Sequence, residues 1–279
     1  MNPLPNVNAV PLFPEERAAL LDLLRSLTPE QWAAPTVCAG WSVKDIASHL
    51  IADDVGRLGW QRDDHSATRF ESKDAATFEA DLLVFINHQN ESWVEATRRL
   101  SSRIIIDLLE WSGRETQALF QSLKPNAMGL GVSWAGESES ANWFDLAREY
   151  TERWHHQAQI REAARAPMLY DPRLFAPVIA TLIRGVPHAL RTFDAPEGTH
   201  LRIVVKDPNL PVSLTRERGA WQLTQPIPAK ADTTVELDGD TAWRIFTKNI
   251  SPEEAKGRAT ISGDASLGEQ VLRTVSLVA

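Results

Sequence analysis

Phe193-Asp194-Ala195-Pro196-Glu197-Gly198-Thr199-His200-Leu201-Arg202-Ile203-Val204-Val205 is the stretch at which the hydrophobic period of the chain changes. Asp194 to Gly198 carries turn chemistry, and beyond it Leu201, Ile203 and Val205 alternate with period two, as in a strand with one face buried. The same period recurs C-terminally. Val212 and Leu214 alternate, and after Arg218-Gly219 so do Trp221 and Leu223, which predicts a hairpin. Val235 and Leu237 predict a further strand, Thr241 to Lys248 a helix, Ala259 to Ser262 a last strand and Leu267 to Leu277 a closing helix. Residues 195–279 therefore read as a small α+β domain.

N-terminal to the switch the period is helical. Pro14 suits a first turn, and Leu20, Leu23, Leu24 and Leu27 recur at helical spacing until Thr28-Pro29 ends the run. Ser42-Val43-Lys44-Asp45 has the form of a capping box and opens a helix from Val43 to Leu58. The acidic stretch Gln61 to Lys73 reads as a surface loop, and Thr77 to Leu123 as two helices broken near Leu100-Ser101-Ser102. A loop containing Pro125, Gly129, Gly131 and Gly136 precedes a helix from Asn142 to Ala164. One more runs from Arg173 to Arg191, with kinks at Pro177 and Pro187. Residues 1–194 thus predict an up-and-down helical bundle with a connecting helix. Two domains also suit 279 residues.

Composition narrows the function. With 43% hydrophobic and 24% charged residues and Cys38 the lone cysteine, the chain reads as soluble and free of structural disulfides, the cysteine usage of a reducing cytoplasm. The N-terminus lacks the basic and apolar regions of a signal peptide, and no apolar run reaches the roughly eighteen residues of a membrane span. A formal charge of -8 without a Lys/Arg run argues against nucleic acid. The expected setting is cytoplasmic, with small molecules as partners and a monomer or homodimer as the assembly.

No glycine-rich nucleotide loop and no serine nucleophile elbow is present, so attention falls on histidine. In Glu149-Tyr150-Thr151-Glu152-Arg153-Trp154-His155-His156-Gln157-Ala158-Gln159-Ile160, Glu152 and His156 are four apart and share a helical face; His49 lies on another helix. One carboxylate and two imidazoles suit a zinc-type ion with an open fourth position, the pattern of catalytic sites. Such pairs also occur as solvated neighbours. On a helical wheel the two face away from the stripe Trp143, Ala147, Tyr150, Trp154 and Ala158, so a buried pair requires a helix covered on both sides. Spacing alone leaves both readings open. Asp53, one turn beyond His49, and Gln159, three beyond His156, are candidates to orient the imidazoles. His155 projects about a hundred degrees from His156 and is not expected to share its ion. Cys38, lone and just ahead of a helix, is read as a packed thiol; no nucleophile is assigned.

Leu27-Thr28-Pro29-Glu30-Gln31-Trp32, Pro35-Thr36 and Gly40-Trp41-Ser42-Val43-Lys44-Asp45-Ile46-Ala47-Ser48-His49-Leu50 resemble the opening of DinB-like metal-binding bundles, and more narrowly the N-terminal domain of mycothiol-dependent maleylpyruvate isomerases. Glu152-x-x-x-His156-x-x-Gln159-Ile160 is similar to the last-helix signature of that superfamily. Leu237-Asp238-Gly239-Asp240-Thr241-Ala242-Trp243-Arg244 and Thr260-Ile261-Ser262-Gly263-Asp264 resemble its sterol-carrier-protein-like C-terminal domain.

The resemblance implies that His49, Glu152 and His156 bind a divalent metal, most simply zinc, and that the cofactors include a low-molecular-weight thiol such as mycothiol. It implies an enzyme, an isomerase or thiol S-transferase. The thiolate adds to an activated cis double bond, the adduct rotates about the new single bond, and expulsion of the thiolate leaves the trans isomer; a transferase stops at the adduct. An anionic, electrophilic substrate calls for guanidinium clamps, for which Arg153, Arg161, Arg216 and Arg244 are the candidates, beside Arg202 and Arg218. Two alternatives stand beside this reading: a metal-dependent hydrolase with water in the open position, and a non-enzymatic module binding an apolar ligand.

Overall fold

The computed structural model describes residues 4–65, 70, 78–225 and 230–277. The chain forms a helical unit, Val10–Lys124 with Glu152–Leu169, and a sheet unit, Pro125–Thr151 with Tyr170–Leu277 and the N-terminal segment up to Ala9.

In the helical unit, α1 (Phe13–Ser26) is followed by the short α2 (Pro29–Trp32) and by α3 (Val43–Arg57), which runs on into a π-helical turn, Leu58–Arg62. Then come α4 (Phe78–Thr97), α5 (Ser102–Ser122) and, from Glu152 on, the second half of α6 (Asn142–Ala163). Side chains close the helix starts. Ser42 Oγ accepts from the Asp45 amide while Asp45 Oδ2 accepts from the Ser42 amide at 2.9 Å, a reciprocal capping box that satisfies two otherwise orphaned donors. Thr28 and Gln31 do the same for α2, and Ser101 caps α5. Leu20, Leu24, Trp32, Val43, Ile46, Ala47, Leu50, Ile105, Leu109 and Ile160 form the core. The loop expected over 61–73 differs at its start, because Gln61 and Arg62 still belong to the π turn; residues 66–69 and 71–77, including the expected helix start at Thr77, lie outside the described residues.

Inside this unit sits a carboxylate with no exposure. Asp54 of α3 receives Arg17 of α1 at 2.8 Å, Arg153 of α6 at 2.7 Å and the Ser112 hydroxyl of α5 at 2.6 Å. The Arg153 guanidinium lies 5.3 and 5.5 Å from the ring centroids of Phe13 and Phe120. Burial alone would raise the Asp54 pKa, but the two arginines and the Ser112 hydroxyl outweigh it and hold the carboxyl below its ordinary value. Four helices thus meet on one charge.

The sheet unit opens with a two-stranded antiparallel ribbon, β1 (Met128–Leu130) and β2 (Glu139–Ala141), where the sequence predicts only a loop. A side chain at Gly131 would meet the Ser138 carbonyl, so the tight return needs glycine there. The helix expected from Arg173 to Arg191 is instead α7 (Pro172–Leu182), a 3₁₀ turn (Ile183–Gly185) and α8 (Val186–Ala189). Pro177 is tolerated inside α7, whereas the helix re-forms after the 3₁₀ turn with Pro187 in its first turn, where a missing N–H costs nothing.

The main sheet has the order β5-β4-β3-β6-β7, from β3 (His200–Val205), β4 (Leu210–Glu217), β5 (Ala220–Thr224), β6 (Thr233–Leu237) and β7 (Thr260–Gly263). Among the described residues only β3 and β6 pair in parallel. Leu201, Ile203, Val205, Val212, Leu214, Val235 and Leu237 are buried, the alternation expected from the sequence. The accompanying helices are α9 (Gly239–Phe246), α10 (Pro252–Arg258) and α11 (Ala265–Val271). Residues 272–277, beyond α11, are not helical: the Ser276 amide donates to the Phe246 carbonyl at 2.7 Å and its hydroxyl to the Leu182 carbonyl at 2.7 Å.

The fold is thus a helical bundle with a C-terminal sheet domain, but a cut at residue 194 does not describe the packing. Residues 125–151 and 170–194 cluster with the sheet. The cause is the apolar face of α7, which carries Leu174, Phe175, Val178 and Ile179 and packs against α9, while Tyr150 Oη donates to the Leu174 carbonyl at 3.0 Å. Among the described residues no helix is long and apolar enough to cross a membrane.

Replacing Asp54 with Ala strands two buried guanidiniums, a change expected to cost about 3–5 kcal/mol. Urea unfolding of Asp54→Ala should show a correspondingly lower midpoint. In the unmutated protein the Asp54 carboxyl, depressed by folding, contributes stability that is complete above its unfolded pKa of about 3.9 and is lost as the pH falls through the lower folded value. Acid titration of the Asp54→Ala protein should lack that loss.

Candidate metal centre

Two helices of the helical unit bring the histidines together. On α3, Ile46, Ala47 and Leu50 enter the core and place His49 at its flank, 6% exposed. On α6, every residue from Arg153 to Ile160 is buried, so this helix is covered on both sides, as the wheel requires if Glu152 and His156 are to face protein.

The His49 and His156 rings lie 4.8 Å apart between centroids, at 82°, and His156 Nε2 is 4.0 Å from Glu152 Oε2. Trp41 covers His49 at 5.3 Å. His156 Nδ1 is 2.9 Å from Gln159 Oε1; because that oxygen only accepts, Nδ1 carries the proton and Nε2 presents a lone pair toward Glu152. Burial, joined by the neighbouring His155 and His49, pushes the His156 pKa well below its usual value, so the ring is neutral, the form that ligates metals. His49 Nε2 is 3.6 Å from Asp53 Oδ2, while its Nδ1 is buried and has no hydrogen-bond partner among the described residues.

The residues fit a first-row divalent ion. Ligands bound tetrahedrally at about 2.1 Å stand about 3.4 Å from one another, and the separation found between His156 and Glu152 needs only a small side-chain adjustment. The buried, unsatisfied nitrogen of His49 marks an uncompensated polar site of the kind that a ligand relieves.

His155 is closer to the group than its sequence position suggests. Its Nδ1 lies 3.6 Å from Glu152 Oε2, and one ligand atom from each of Glu152, His155 and His156 falls within 4.8 Å of the others. The reason is the three-residue spacing of Glu152 and His155, also neighbours on a helix, so one carboxylate serves both imidazoles. The His155 and His156 rings lie 4.0 Å apart between centroids, tilted at 35°.

The guanidiniums are placed differently from one another. Arg153 is buried against Asp54. Arg161 donates to the Gln157 side chain at 2.8 and 3.0 Å and to the carbonyls of Pro167 and Ala19. Both are spent inside the helical unit, because α6 is buried where the sequence offered them as substrate clamps. In the sheet unit Arg244 pairs with Asp240 at 2.9 Å and lies over the Trp243 ring, while Arg216 on β4 has buried Nε and Nη1 atoms with no hydrogen-bond partner among the described residues. One contact has no sequence signal at all: Cys38 Sγ stands 3.5 Å from Gln159 Oε1, across 121 residues.

Comparison with known proteins agrees with this architecture. The profile of the family described as "Mycothiol maleylpyruvate isomerase N-terminal domain" matches residues 13–161. No curated protein matches. Two solved structures, the mycothiol-dependent maleylpyruvate isomerase and its H52A mutant, each align over 95% of this chain and 98% of their own with a TM-score of 0.55 at 13% identity, which shows a common fold. On a match that spans α1 through the histidines of α6, the chain belongs to the mycothiol maleylpyruvate isomerase N-terminal domain family.

Proposed function

We propose that the protein is a divalent-metal-dependent enzyme that uses a low-molecular-weight thiol, acting as an isomerase or S-transferase on a small electrophile. The observation that carries the reading is the convergence of a neutral His156, with Nε2 bare, on Glu152 and on the ring of His49, whose Nδ1 is buried without a hydrogen-bond partner among the described residues. Family membership points to mycothiol or an equivalent thiol. His49, Glu152 and His156 would hold the ion, and zinc is the simplest choice for one carboxylate with two imidazoles. When bound, such an ion supplies a Lewis-acidic position at which a thiol ionises at neutral pH.

The remaining work falls to the chain. Gln159 holds the His156 proton on Nδ1, and Asp53 stands beside Nε2 of His49. Trp41 covers the His49 ring, and the burial of α6 keeps bulk water from the inner side of the imidazoles. Glu152, partly exposed, brings the negative charge that offsets a dication.

Elemental analysis after dialysis should find about one equivalent of zinc on the unmutated protein and most of it lost from His49→Ala, Glu152→Ala and His156→Ala, with His155→Ala retaining it; full retention in the three triad variants contradicts the assignment. Turnover should depend strictly on added thiol. Hydrolysis of a generic ester by the zinc-loaded protein without thiol would instead assign water to the open position.

A further inference from the structure

We propose that Trp41 controls access to this centre: its indole closes over His49, a hydrogen bond to Glu91 of α4 latches it there, and release of the latch opens the way to the imidazole. The consequence for zinc and thiol rests on the metal reading above; the closure of His49 does not.

The indole touches one buried group and one exposed group. Its ring lies 5.3 Å from the His49 ring between centroids, and His49 is 6% exposed. Its Nε1 donates to Glu91 Oε2 at 3.0 Å, and Glu91 is at the surface. The half-buried Trp41 therefore stands between the imidazole and water on that side. Elsewhere water already touches the centre, because the side chains of Asp53 and Glu152 are 28% and 27% exposed. A thiol is bulkier than water. Of the two rings packed against His49, that of His156 is fixed in the buried part of α6, whereas the indole hangs on a surface contact.

The loop that carries Trp41 pins its backbone and leaves the side chain to the latch. The Trp41 amide donates to the Cys38 carbonyl at 3.0 Å, and the Thr36 amide and hydroxyl donate to the Trp41 carbonyl at 3.0 and 2.8 Å. Arg98, just beyond α4, donates to the Gly40 carbonyl at 3.3 Å while pairing with Asp45 of α3 at 3.2 Å. These contacts fix where the indole is rooted. The surface beside it is open: Val37, Ala39 and Gly40 are exposed, and nothing lies within 4 Å of the position a Cβ would take at Gly40. An indole released from Glu91 thus has room to swing outward. The latch itself is weak, since water replaces the lost partner of an exposed hydrogen bond. Closed and open rotamers then exchange, with the closed one favoured.

The test uses the full chain, metal-free, with diethyl pyrocarbonate, which acylates neutral imidazoles; the modification of each histidine is timed by peptide mass spectrometry. His49 should react slowly in the unmutated protein and about 3- to 10-fold faster in Glu91→Ala and in Trp41→Phe, each of which removes the same hydrogen bond. Combining the two should add nothing further. Trp41→Ala, which removes the cover as well, should be faster again, and Glu91→Gln, which keeps a carbonyl acceptor, should stay near the unmutated rate. The exposed His65 and the half-buried His200 should keep their rates in every variant. An unchanged His49 rate in Glu91→Ala, or a rise shared by His65 and His200, overturns the proposal. In the zinc-loaded protein, uptake and release followed with a chromophoric chelator should accelerate together in Glu91→Ala and leave the affinity within about 2-fold, since a latch that closes equally with and without the ion favours neither state. Zinc exchange at the unmutated rates overturns the proposal as well. If His49 responds as described and the protein holds no zinc, the metal reading falls and the closure of His49 stands.

Discussion

Helix α6 is buried around its whole circumference from Arg153 to Ile160, yet it carries Arg153, His155, His156, Gln157 and Gln159 into that interior. A polar group removed from water costs free energy unless it finds a partner, and a charge costs far more, so each of these side chains constrains its surroundings. Asp54 is set between Arg153 and Arg17. Glu16 is set to receive Gln157 Nε2 at 2.6 Å, and the other end of Gln157 receives Arg161. Gln159 turns to the remaining side and meets His156. The helix is thereby keyed in rotation and height by pairs whose exchange would strand a charge. That is the precision a metal centre needs from the backbone behind it.

The same constraint separates what the sequence can reveal from what it cannot. Period and capping are local, and Ser42 to Asp45, the strand alternation from Leu201 to Val205 and the break at Leu100 to Ser102 announce themselves without tertiary knowledge. Partner choice is not local. Arg153 and Arg161 have the composition of anion clamps, and only the coordinates place their acceptors, 99 residues away for Arg153 and, for Arg161, on the carbonyls of Pro167 and of Ala19, the latter 142 residues away. The change of period and the grouping of contacts divide the chain at different places for a related reason: the helices before residue 194 look like continuations of the bundle, but the apolar face of α7 packs against α9. His155 is the intermediate case. Its three-residue spacing from Glu152 is visible in the sequence, whereas the carboxylate's capacity to serve two rings depends on rotamers that it does not encode.

Glu16 shows what keying by buried charge costs. It has no exposure, one of its carboxyl oxygens finds no hydrogen-bond partner among the described residues, and burial raises its pKa against the pull of Arg17, Gln157 and Arg153. An apolar residue there would be cheaper by itself. It would, however, leave the Gln157 amide without its short contact and weaken the hold on the turn of α6 that presents His156. Stability at this position is exchanged for registration.

Donor chemistry links that registration to the proposed reaction. Hard cations such as magnesium and calcium favour six or more oxygens, and the group around His156 offers one carboxylate among imidazoles. Imidazole with a single carboxylate suits the borderline ions toward zinc, which also accept sulfur. Neutral imidazoles matter here as well. A ring charged at neutral pH would repel the ion, and the burial that depresses the His156 pKa removes that competition before any ligand arrives. The covered side of α6 does two jobs with one set of contacts: it fixes where the His156 nitrogens are, and it keeps that ring in the neutral state in which their position is useful.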